Sequence, residues 1–234
     1  MRRTTSPYVD VAGTSGLTDA ALRVAELALM FGRVYRAETC RHPDGGPESD
    51  TDHTVMLAWL APALASATEP KLDPNLVAAF AAVHDAVEVF AGDTNTLRIS
   101  EEGRRNKKQA EAEALWRWRE EFATGLTWLP SVIGRYETQE EPEARFVRAV
   151  DKICPKFLHV INVGRDMVGY NMGSRELTAN LTRQREDIAV YAGEFKGVMA
   201  LFDEMADRAV MVTRQTEQTK QEIEVNGQSW QSKI

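Results

Sequence analysis

His84 and Asp85 stand side by side in the stretch Ala82-Val83-His84-Asp85-Ala86-Val87-Glu88-Val89-Phe90, whose other members apart from Glu88 are apolar. An imidazole and a carboxylate set among Val, Ala and Phe are costly to bury without partners, and a divalent cation would satisfy both together. Glu88 follows His84 by four residues and Asp85 by three, so on a helix the three can line one wall. His53 upstream and Asp151 downstream supply the same chemistry from two further segments. Two imidazoles and two carboxylates make a suitable ligand set for Mn²⁺, Co²⁺, Fe²⁺, Zn²⁺ or Mg²⁺. Taken singly these residues have plainer readings. His53 alone reads as a hydrogen-bonded core histidine, Glu88 as an ion-paired helix acid and Asp93 as a loop cap. Their combination points to a metal.

The elements that must position these groups are helical. From Leu17 to Arg36 apolar residues recur at helical spacing, which predicts a first helix ending near Tyr35. Residues 40–47 are dense in turn formers and predict a loop. Asp50 or Thr51 can cap the next helix, with His53 in its first turn. Asp73-Pro74 then supplies a cap and a first-turn proline for a central helix that carries Val77, Phe80, His84 and Val87. Gly92-Asp93 ends it, and Ser100 opens a long charged helix reaching about Gly125. A short segment carries Tyr136-Glu137. From Pro142 a helix bears Asp151, and Pro155 predicts a kink or an end one turn beyond that aspartate. Residues 164–174 read as a loop, and about 175–215 as two helices. No run of alternating apolar and polar residues is visible, so the fold class is all-α, a helical bundle with the metal site between central helices. Residues 1–16 read as a loosely held arm, 17–215 as the domain and 216–234 as a fraying polar tail.

The 234-residue chain is long enough for one sizeable core, and its 43% hydrophobic and 27% charged content is that of a globular protein. A net charge of −7 argues against polymeric nucleic acid as a partner. No apolar run of spanning length and no apolar stretch after the charged Met1–Thr5 segment is evident, so neither a membrane partner nor a secretory signal is expected. Two cysteines are too few for a disulfide framework or thiolate cage, and a cytoplasmic location is the economical expectation.

The succession Glu48-Ser-Asp-Thr-Asp-His53, His84-Asp-Ala-Val-Glu88, Gly92-Asp93, Tyr136-Glu137-Thr138 and Ala144-Arg-Phe-Val-Arg-Ala-Val-Asp151 resembles the HD-domain metal-dependent phosphohydrolases, in particular their 5′-deoxynucleotidase branch. The resemblance implies one divalent metal ion held by His53, His84, Asp85 and Asp151. It matches Glu88 and Asp93 to acids that orient or deprotonate the attacking water. It places a phosphate-holding arginine at the end of the first helix, where Arg36 fits better than Arg33, and gives Glu48 a part in shaping the substrate pocket. Lys152, beside Asp151, is a candidate for the rim of the pocket. The run Arg104, Arg105, Lys107 and Lys108 reads as a solvated face.

The function so implied is removal of the 5′-phosphate from deoxynucleoside monophosphates. A triphosphohydrolase releasing triphosphate from deoxynucleoside triphosphates is the near alternative, and a non-catalytic nucleotide-sensing module the more distant one. With only four histidines a histidine-rich dinuclear centre is hard to furnish, so a mononuclear site is the simpler expectation. The apolar positions Val198, Leu201, Phe202, Met205 and Val210 read as core or dimer interface, and together with the family's habit they predict a homodimer.

Overall fold

The computed structural model describes residues 16–36, 39–95, 98–123, 125–226 and 229–230, and the N-terminal arm expected over residues 1–16 lies outside them except for Gly16, which begins the first helix. Eleven helices are assigned among the described residues, with two isolated β-bridges and no strand. The helices are α1 (Gly16–Phe31), α2 (Asp50–Ala67), α3 (Pro74–Val83), α4 (Glu88–Ala91), α5 (Glu101–Glu121) and α6 (Trp128–Thr138). After them come α7 (Pro142–Asp151), α8 (Cys154–Ile161), α9 (Arg165–Gly169), α10 (Ser174–Ala192) and α11 (Lys196–Val225).

The core forms where α3 is enclosed by α2, α6 and α7. α3 gives Val77, Phe80, Ala81 and Val83 to it, and α7 gives Phe146, Val147 and Val150. α2 presents the stripe His53, Leu57, Ala61 and Ala65, spaced by four residues so that one face points inward. Phe146 and Phe195 meet edge to face at 5.2 Å and tie α7 to the segment entering α11. α10 and α11 pack as a pair, and a smaller cluster around Met167, Met172 and Leu177 seats α9 beneath them. Gly164 makes that seating possible. Its φ is +73°, and a Cβ there would lie 2.6 Å from the Thr213 Cα.

Several boundaries differ from the sequence expectation. α1 ends at Phe31, and Arg36 lies on an extended segment that bridges to the entry of α2: its N–H donates to the Glu48 carbonyl at 2.9 Å, and Asp50 N–H donates to Val34 O at 2.9 Å. Ser49, rather than Asp50 or Thr51, caps α2, in a reciprocal box with Asp52. The central helix is broken. α3 stops at Val83, and residues 84–87 run through tight turns, with Ala86 N–H to Val83 O at 3.0 Å and Glu88 N–H to Asp85 O at 2.8 Å. α7 ends at Asp151 itself, and Pro155 sits in the first turn of the new helix α8, where its missing N–H costs nothing. Tyr136-Glu137 belong to a helix of eleven residues, α9 interrupts the expected 164–174 loop, and α11 continues through the expected frayed tail to Val225. Gln, Glu and Lys dominate that last stretch, and all three favour helix.

The 18-residue stretch Pro74–Ala91 has a mean hydropathy of 1.2, enough by length and composition to cross a membrane, contrary to the expectation that no run reaches that threshold. It is the core helix α3 with its continuation, interrupted by His84, Asp85 and Glu88.

Candidate metal centre

Ser49 and Asp52 fix the first turn of α2, and His53 follows one turn in, completely buried. The tight turns after α3 point His84 and Asp85 toward it, and the end of α7 delivers Asp151. His53 Nε2 lies 2.8 Å from Asp151 Oδ1 and 3.9 Å from Asp85 Oδ2. His84 Nε2 lies 2.9 Å from Asp85 Oδ2 and 3.9 Å from Asp151 Oδ1. One donor atom from each of the four residues falls within 4.8 Å of every other. An ion with bonds of about 2.1 Å would need adjacent ligand atoms roughly 3 to 3.5 Å apart, which falls within these spacings.

The donor set fits a divalent ion on a second ground. His84 Nδ1 lies 2.9 Å from the Ala81 carbonyl, which makes Nδ1 the protonated nitrogen and leaves Nε2 with a lone pair facing the other donors. That Nε2 is buried and has no hydrogen-bond partner. A buried ring nitrogen without a partner is uncommon, and a cation explains it.

Burial opposes ionisation of Asp85, but His84 and Arg36 outweigh it and hold its carboxyl well below the usual range. Asp151 is likewise held low against burial by Lys152, His53 and His84. His53 is pushed down by burial and Arg36, yet its hydrogen bond to Asp151 and the nearby Glu48 carboxylate carry it up to about 9. All of this describes a pocket poised to hold positive charge.

The sequence candidates around the centre sort clearly. Arg36 reaches in, with Nη1 2.7 Å from Asp85 Oδ2, whereas Arg33 is exposed in the turn after α1. Glu48, 2% exposed, stands behind the site, 3.6 Å from His53 Nδ1 and 3.7 Å from Arg36 Nε. Its place is to orient those two side chains. Lys152 Nζ is 2.6 Å from Asp151 Oδ2 and its side chain is 41% exposed, at the rim. Glu88 is buried, with Oε1 accepting from Lys107 at 2.9 Å. Burial, then Asp85, push its carboxyl up to about 9, while Lys107 pulls the other way. Asp93 is half-buried just past Gly92, whose φ of 74° turns the chain out of α4. It is not among the clustered donors, although its charge is felt by Arg36, Asp50 and Glu88.

Two residues near the centre escaped the sequence reading. The sequence places Lys107 in a run that reads as solvated, yet it is spaced with Gly103, Ala110, Ala114 and Trp118 along the inward face of α5, and that spacing is the signal. Asp50 lies three residues before His53 on the inward stripe of α2 and is fully buried. The two spare histidines stay outside the centre: His42 pairs with Asp52 at 3.2 Å, and buried His159 with Asp166 at 2.7 Å.

The family model described as HD domain matches residues 33–196, the span from just before Arg36 to the start of α11. Among solved structures, the chain is similar to the crystal structure of a predicted metal-dependent phosphohydrolase from Magnetospirillum magnetotacticum MS-1, determined at 1.37 Å. The TM-score is 0.64 and the identity 21%, over 84% of this chain and 94% of that one. No curated protein matches the chain.

Proposed function

The chain belongs to the HD-domain family, and from that premise we propose that it is a divalent-metal-dependent phosphohydrolase that removes the 5′-phosphate from deoxynucleoside monophosphates. The observation that carries this reading is the convergence of two imidazoles and two carboxylates within 4.8 Å, with the Arg36 guanidinium beside them. The similar Magnetospirillum protein, described as a predicted metal-dependent phosphohydrolase, supports the reaction class. The nucleotide reading rests on the succession of motifs from Glu48 to Asp151.

His53, His84, Asp85 and Asp151 would hold the ion. When bound, it supplies charge neutralisation for the phosphoryl oxygens and lowers the pKa of water. Arg36 is placed to give a bidentate guanidinium to the phosphate dianion, exchanging its bond to Asp85 for stronger ones. Glu88, with Oε2 unpartnered, is the group to take the proton of the attacking water. Lys107 on its other oxygen holds the carboxylate in place and favours the ionised form it needs for that task. Lys152 at the rim adds positive charge where an anionic substrate must enter.

Incubating the chain with each deoxy- and ribonucleoside mono- and triphosphate, with Mn²⁺, Co²⁺ or Mg²⁺ supplied, tests the proposal when products are separated by chromatography. Orthophosphate from deoxynucleoside monophosphates is expected. Tripolyphosphate from a triphosphate would replace this reading with the triphosphohydrolase one. Nucleotide binding without turnover of any of them would replace it with a sensing module.

A further inference from the structure

We propose that Asp50, Asp85 and Glu88 form a second divalent-cation site, with oxygen ligands only, that shares Asp85 with the histidine-containing centre. This rests on the reading that His53, His84, Asp85 and Asp151 hold the first ion. One carboxylate oxygen from each of the three acids lies within 4.8 Å of the other two.

Asp50 carries the inference. It is fully buried, and neither carboxylate oxygen has a hydrogen-bond partner. A carboxylate removed from water with both oxygens unsatisfied is strongly disfavoured. The two tasks an acid in a helix's first turn ordinarily performs are taken by other residues. Ser49 caps α2 through its hydroxyl and Asp52 completes the capping box. The nearest cation, Arg36, has its Nη1 3.8 Å from Asp50 Oδ1 and bonds Asp85 at 2.7 Å instead. Glu88 repeats the pattern from the far side: Lys107 takes Oε1, while Oε2 is buried without a partner. Asp50, at the N-terminus of α2, and Glu88, in α4, thus each carry an unbonded oxygen, and one carboxylate oxygen of each lies within 4.8 Å of one of Asp85.

The chemistry of the three groups selects the ion. Carboxylate oxygens without nitrogen or sulfur suit Mg²⁺ or Mn²⁺, whereas the neighbouring site offers two imidazoles and accepts softer ions. An ion held at the second site would engage Glu88, which would then orient water through the ion instead of taking its proton directly, and its charge would help to neutralise a phosphoryl oxygen.

Titration of the full chain with Mn²⁺, followed by equilibrium dialysis with metal analysis and by electron paramagnetic resonance, tests this without an activity readout. The wild-type chain should bind two ions with the broadened, exchange-coupled spectrum of a close pair. Asp50→Asn, which keeps volume and removes charge, should retain one ion with an isolated-Mn²⁺ spectrum, its second affinity falling about ten-fold or more. One ion on the wild-type chain, or unchanged stoichiometry and coupling in Asp50→Asn, overturns the second site and leaves the proposed function standing. No ion bound at all overturns both. Wild-type stoichiometry and coupling decide the matter even if the variant fails to fold.

Discussion

Arg36 Nη1 stands 2.7 Å from Asp85 Oδ2, the same oxygen that lies 2.9 Å from His84 Nε2 and 3.9 Å from His53 Nε2. A guanidinium and the expected metal ion therefore draw on one carboxylate oxygen. Under the proposed function, Arg36 is the phosphate-binding group and is held in store against Asp85. Replacing it by Met should leave divalent-ion affinity equal or higher, because a competitor for Asp85 is gone. Loss of a charge-assisted bond to phosphate should lower kcat/KM about 10- to 100-fold. Metal affinity by calorimetry beside steady-state kinetics checks this pair of opposite effects, and a fall in both would show that Arg36 instead organises the ligands.

Lys107 sets the ionisation of Glu88. Burial and Asp85 push the Glu88 carboxyl up to about 9, and Lys107 is the counter-charge that opposes them. Removing that charge in Lys107→Met raises Glu88 further, so the ionised base appears only at higher pH. The acid limb of the kcat/KM profile should move up by about one unit, with the largest loss of activity at low pH. A profile lowered uniformly without a shift would mean that Glu88 is not the titrating base.

Lys156 is buried against Phe202, with its ammonium 4.5 Å from the ring centroid, and donates to Lys152 O at 2.6 Å. Burial, helped by Lys152, lowers its pKa to about 7 from an ordinary value of 10.5. Between those values the unfolded chain binds more protons at this residue than the folded chain, so its contribution to stability rises with pH across that window. Below about pH 7 the penalty for a buried ammonium is present in full. Denaturant unfolding of the wild type and Lys156→Met at several pH values should show the wild type gaining on the variant from pH 7 to 10. A difference independent of pH would contradict the assignment.

Ser49 closes the first turn of α2, one turn before His53, by accepting from Asp52 N–H at 3.2 Å while Asp52 accepts from Ser49 N–H at 3.0 Å. Ser49→Ala should cost about 1 kcal/mol of stability, measured by chemical denaturation. Because the same turn aims His53, the variant should also bind the divalent ion more weakly. A stability loss with unchanged metal affinity would separate the cap from the centre.

The sequence reading reached the helical fold and the residues that converge, because both leave local marks: apolar spacing, caps, and polar groups in an apolar stretch. It missed what depends on tertiary contact. The break after Val83 carries no proline or glycine, and the αR backbone of His84 continues the helix by dihedral angle, so nothing in residues 74–91 announces the tight turns. Arg36 was placed on a helix because Val34 kept the apolar spacing, whereas pairing of its segment with Glu48 and Ser49 drew it into an extended form. Asp50 reads in the sequence as a candidate helix cap and Lys107 as part of a solvated face, although the stripes of α2 and α5 on which they lie turn inward.

In the proposed function, four side chains from three segments hold a divalent ion on which phosphate release depends. Orthophosphate release from a deoxynucleoside monophosphate, followed before chelation, after chelation and after return of Mn²⁺, tests it most directly when repeated with Asp151→Asn. The account predicts activity that chelation abolishes and Mn²⁺ restores in the wild type, and none in the variant. Release that survives chelation, or an Asp151→Asn chain as active as the wild type, would contradict it.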